Sequence, residues 1–156
     1  MLNINYYTDY IGNLADSRAG KTLYSVFVGT VGAMLLVVFF TGILPTAVIE
    51  TLLPLIIGFN TALTGYMVIE KTRNRFVRKR TLAMGAGVAV VLVTALLLNL
   101  LFLQWVGFNL IGLESLPALL LVGIVTSVLG GMLAVKYFNL NESMERRLSV
   151  TETSKY

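Results

Sequence analysis

Four apolar runs, about Leu23 to Leu44, Thr51 to Ile69, Leu82 to Val106 and Leu116 to Val135, alternate with short polar connections. Each is close to the ~20 residues a helix needs to cross ~30 Å of hydrocarbon. The pattern predicts an all-α integral membrane protein whose four transmembrane helices form two tandem helical hairpins. The first hairpin is residues 21–71, the second is residues 82–136, and a basic loop over 72–81 joins them. Ahead of the first span, Tyr6, Tyr7, Tyr10, Ile11 and Leu14 recur at helical spacing with Asp9, Asn13 and Asp16 between them. This spacing predicts a short amphipathic interfacial helix within residues 1–20, either a docking element for a partner or an anchor holding tyrosines at headgroup level. The first span does not read as a secretory signal, because it comes late, is too long, and ends at Pro45 without a small-residue cleavage pattern. The polar tail over 137–156 carries Glu142, Glu145, Arg146 and Arg147, and is expected to extend the fourth helix briefly before fraying.

Charge gives these spans a direction. All twelve Lys and Arg residues lie on one side: Arg18 and Lys21, then Lys71 to Arg80, then Lys136, Arg146, Arg147 and Lys155. The opposite connections hold only Glu50 and Glu114 as charged residues. By the positive-inside rule both termini are expected in the cytoplasm, with the chain in the cell membrane. A hydrophobic share of 56% over 156 residues, with mean hydropathy +0.81, is too apolar for a water-soluble domain of this size. The net charge of +4 therefore points to anionic lipid headgroups rather than nucleic acid. Arg73, Arg75, Arg78, Lys79 and Arg80 form the expected lipid or partner surface, with simple topology determination as the plainer reading.

Cysteine and histidine are absent. Disulfides, thiolate nucleophiles and the usual ligands of haem, copper and catalytic zinc are thereby removed, so neither cofactor nor metal site is expected. No ionisable residue lies deeper than a span end, which argues against coupled transporters and pumps. The uncharged first span also lacks the buried carboxylate on which small four-helix multidrug exporters depend. No Ser, Lys or carboxylate constellation suits nucleophilic catalysis, and the chain is not expected to be an enzyme.

An internal repeat stands out within the spans. Gly58 to Lys71 and Gly123 to Lys136 share the pattern G-x-x-T-x-x-x-G-x-M-x-x-x-K at a constant separation of 65 residues. Lys21-Thr22-Leu23 and Arg80-Thr81-Leu82 open the two hairpins alike, and Glu50 and Glu114 hold matching places near the outer ends. Duplication of one hairpin explains the match; convergence of common membrane residues is the alternative. Gly58, Thr61 and Gly65 lie on one helix face, as do Gly123, Thr126 and Gly130, and Gly29 and Gly32 with Ser25 and Ala33 supply a seam in the first helix. Gly85 with Ala89 is expected to begin one in the third. Such seams allow close backbone approach in lipid, where apolar burial does not drive helix association. Four helices rarely need so many for internal contacts, which favours self-association or a partner subunit.

Asn60 is the most polar midplane residue, with Thr61 beside it and Thr64 one turn on. It is expected to hydrogen-bond across helices, or to line a narrow polar path with Thr61, Thr64 and Thr126. Asn99 and Gln104 lie near a span end, where water or headgroups suffice. Glu50 and Glu114 form a possible outer carboxylate pair for cations, or simply complement helix N-termini. The leading expectation is a structural or accessory subunit that self-associates or joins a larger membrane assembly; the alternative is a passive channel or facilitator for ions or small polar solutes.

Overall fold

The computed structural model describes residues 17–72 and 79–153, with side chains described for 17–72 and 80–138. The proposed interfacial helix, apart from its last residues, and the basic residues Arg73, Arg75 and Arg78 lie outside the described residues. Among the described residues there are four helices and no strand: α1 (Arg18–Thr41), α2 (Thr46–Lys71), α3 (Lys79–Trp105) and α4 (Leu116–Thr153). All four contain a stretch long and apolar enough to cross a membrane, and in α4 that stretch is Leu116–Phe138.

The helix ends follow local chemistry. Ser17 caps α1, its Oγ accepting from Gly20 N–H at 3.0 Å. Residues 18–20, expected to belong to the interfacial segment, thus form the first turn of α1. Pro45, in extended backbone with no N–H to give, starts α2 at Thr46, earlier than the expected Thr51. Pro54 and Glu50 consequently fall inside α2 rather than at its edge. Pro54 is exposed in the first third of α2, where the carbonyl it leaves without a helical donor lies near the helix end. Helix α3 ends at Trp105 and is closed by Gly107, whose φ of +80° accompanies bonds from its N–H and that of Val106 to Phe102 O at 3.1 and 2.8 Å. Helix α4 runs unbroken to Thr153, far beyond the brief extension expected after the last apolar residue. No proline follows Pro117 to interrupt it.

Helices α2 and α3 each touch all three others, whereas α1 and α4 make no contact among the described residues. The bundle is therefore a rhombus with α2 and α3 across its short diagonal. The half that carries the α1–α2 and α3–α4 connections, outer by the expected topology, is packed by large side chains: Val37 of α1, Ile49, Leu53 and Ile57 of α2, Leu98 and Phe102 of α3. Toward the inner side glycine, serine and threonine replace them, and backbones approach closely.

The connection from α3 to α4 is folded onto the bundle. Leu110 and Ile111 are buried in the outer core, and Asn99 clamps this loop with Nδ2 donating to Ile111 O at 2.9 Å and Oδ1 accepting from Ile111 N–H at 2.8 Å. Asn99 thus satisfies a loop peptide far along the chain, a role that its place near a span end does not reveal. Asn99→Leu should cost about 1–3 kcal/mol, because both Ile111 groups lose partners. Hydrogen exchange at Ile111 N–H should accelerate while the α2 midspan amides stay protected; unchanged exchange there would contradict the clamp.

Candidate functional site

The small-residue positions and the midspan polar residues converge on one region where α2 crosses α4. Thr61 and Thr126 meet there, Oγ1 to Oγ1 at 2.6 Å. Thr61 also reaches Ile57 O at 2.8 Å, and Thr126 reaches Val122 O at 2.7 Å. Each hydroxyl has one proton, so one threonine donates across the interface while the other donates to its own helix. On either side of this bond the backbones touch. A Cβ on Gly65 would collide with the carbonyl oxygen of Ser127, and one on Gly130 with the carbonyl oxygen of Ala62. These contacts are reciprocal: Gly65 stands to Gly130, and Ala62 to Ser127, at the same separation of 65 residues as Thr61 to Thr126. A Cβ on Gly58 would lie 3.4 Å from Thr126 Cγ2, and one on Gly123 3.6 Å from Thr61 Cγ2, which repeats the relation.

The second contact buries the most polar residues of the chain. Gly29 of α1 lies on Thr64 Oγ1, with Asn60 O 3.3 Å from where its Cβ would be. A Cβ on Gly32 would be 2.5 Å from Asn60 Oδ1. Asn60 Nδ2 donates to Ile56 O at 2.9 Å, and Thr64 Oγ1 donates to Asn60 O at 2.8 Å. The amide therefore bonds back to its own helix instead of across to another, and its oxygen faces a glycine on α1. The reciprocity seen between α2 and α4 ends here. Ile56, Asn60, Thr64 and Val68 form a stripe no more than 5% exposed, while the residues at corresponding places in α4, Leu121, Val125, Leu129 and Leu133, are 49–65% exposed. Where α1 covers the stripe it is small or polar at its centre; where nothing covers it, large aliphatic side chains stand in.

The third contact joins α3 to α4. Ser127 Oγ donates to Ala83 O at 2.6 Å, and a Cβ on Gly87 would lie 2.5 Å from Gly123 O. The glycine of this seam is Gly87, not the expected Gly85, which faces open space. Helix α3 buries Ala83, Ala86, Gly87 and Val90, whereas Gly85 sits on the opposite side of the same turns. Thr30 and Thr94 are the two described side chains whose buried hydroxyl oxygens have no hydrogen-bond partner.

The glycines Gly29, Gly32, Gly58, Gly65, Gly123 and Gly130 all have another helix of the same chain within 4 Å of where a Cβ would stand. The seams are used inside the bundle, and none of these six glycines is left over for assembly, contrary to the expectation. At the outer end Glu50 and Glu114, both exposed, line one cavity of about 320 Å³ with Pro54, Asn109 and Ser115. At the inner end Lys21, Tyr24 and Lys71 surround another of about 470 Å³. Of the expected basic surface, Lys79 opens α3 and Arg80 is exposed. Comparison with family models, curated proteins and solved structures finds no match.

Proposed function

We propose that this chain is a structural or accessory membrane protein, a duplicated helical hairpin that acts by associating with a partner in the membrane. The observation that carries this reading is the use made of the midspan polar groups. Asn60 and Thr64 are covered by α1, Thr61 and Thr126 close the α2–α4 crossing, and Ser127 binds α3. Asn60, Thr61, Thr64 and Ser127 are buried within the bundle, which favours packing over lining a polar path. The reciprocal contacts about Thr61 and Thr126 support the duplication, since a repeated hairpin meeting its own copy gives an interface of that form.

Association then falls to the outer faces. Helix α1 is the least buried span, at 28%, against 56% for α2, and presents Leu23, Phe27, Leu35 and Phe39 outward. Helix α4 presents its uncovered aliphatic stripe. Both termini and the basic loop belong on the cytoplasmic side of the cell membrane by the charge asymmetry.

Gentle extraction of the tagged protein followed by native mass spectrometry should yield a stoichiometric foreign subunit or a defined homo-oligomer. A bare monomer would overturn the reading. Flux of ions or small solutes in liposomes, abolished by Asn60→Leu, would replace it with the channel.

A further inference from the structure

The inner ends of α1 and α2 bring together groups that are far apart in sequence. Lys21 and Tyr24 stand one turn apart on α1, and Lys71 closes α2. Lys71 Nζ lies 3.6 Å from the centroid of the Tyr24 ring. With Gly20 these residues line the open inner cavity of about 470 Å³. The N-terminal end of α1 adds its positive dipole to the two ammonium groups. Both lysines are half-buried and line the same recess. The nearest acidic residue along α2, Glu70, is exposed and points roughly 100° away around the helix.

We propose that this recess binds the phosphodiester headgroup of an anionic lipid, with Lys21 and Lys71 pairing its phosphate oxygens and the Tyr24 ring forming the wall at headgroup depth. The proposal rests on the membrane placement given above, since the recess lies at the basic ends of the spans. It differs from the diffuse attraction of a polybasic loop because two cations from different helices converge on one cavity. Tyrosine is suited to that depth, its ring lying against apolar surface and its hydroxyl toward water.

Delipidated full-length protein titrated separately with phosphatidylglycerol, phosphatidylcholine and inorganic phosphate, read by native mass spectrometry, tests this. Phosphatidylglycerol should be retained as one tight copy per chain that phosphatidylcholine does not replace. Lys21→Gln/Lys71→Gln should weaken that copy about thirtyfold, the size expected from two lysine–headgroup attractions. Lys21→Arg/Lys71→Arg should keep it, and so should Lys136→Gln/Arg147→Gln, which removes equal charge elsewhere. Equal retention by the parent and the Gln pair, or equal loss in both charge-removing pairs, would overturn a defined site. Displacement by inorganic phosphate at matched concentration would overturn the lipid assignment in favour of a free anion. If the Gln pair fails to fold, each single Lys→Gln variant should lose part of the affinity, and loss by neither would overturn the proposal. Lipid retention is independent of partner association, so a bare monomer that keeps its phosphatidylglycerol rejects the accessory reading and leaves the site standing.

Discussion

Gly65→Ala and Gly130→Ala are each expected to lower the stability of the bundle by about 2–3 kcal/mol, the upper range for adding volume to a packed core. The obstacle in both is a main-chain carbonyl oxygen on the facing helix, Ser127 O for Gly65 and Ala62 O for Gly130. A side chain can change rotamer to make room, whereas a carbonyl moves only with its helix. Parting α2 from α4 also stretches the Thr61–Thr126 hydrogen bond between the two contacts. The readout follows from composition: the chain has no cysteine, so Thr61→Cys/Thr126→Cys is a clean cross-linking background. That pair should oxidise readily in the parent and poorly with either alanine present. Gly85→Ala, which meets open space, should be neutral or slightly stabilising through helix propensity. The decisive control is Ser127→Ala, which removes a hydroxyl and leaves the carbonyl in place. If it restores cross-linking to Gly65→Ala, backbone contact is not what sets the α2–α4 distance.

How far the sequence foretold this arrangement depends on the range of the interaction involved. The spans were readable because hydropathy acts along the chain: α3 and the apolar part of α4 begin and end within a few residues of their expected limits. The Gly and Thr faces of α2 and α4 were also readable, since spacing by three and four fixes a face. Which faces meet was not, because the pairing of Gly65 with Ser127 and of Gly130 with Ala62 is a property of the crossing. In α3 the two-residue spacing of Gly85 and Gly87 leaves two candidate seams, and only packing against Ser127 selects Gly87. The midplane position of Asn60 predicts a bond across helices, yet its amide donates within its own helix to Ile56 O, under a glycine-bearing helix. Asn99 looked dispensable because a polar residue near a span end usually has water. Its actual partner is a loop peptide whose position depends on Leu110 and Ile111 entering the core.

Gly29→Ala should behave differently from Gly65→Ala, and the contrast tests the rhombus. Its nearest obstacle is the hydroxyl of Thr64, a side chain, although a β-branched one with little rotamer freedom and a bond to Asn60 O. The expected cost is about 1–2 kcal/mol, at the lower end for overpacking. Thr64→Ala should recover most of it by removing the obstructing oxygen. Helix α1 touches α2 and α3 but not α4, so Gly29→Ala should loosen α1 while the α2–α4 crossing persists. In that variant Thr61→Cys/Thr126→Cys should still cross-link, and a maleimide should label Ser25→Cys, a position fully buried in the parent, several times faster. Loss of the cross-link would mean that α1 and the crossing form one cooperative unit. Failure of Thr64→Ala to rescue would place the constraint on the Asn60 carbonyl, making the α1–α2 contact a backbone seam like the one between α2 and α4.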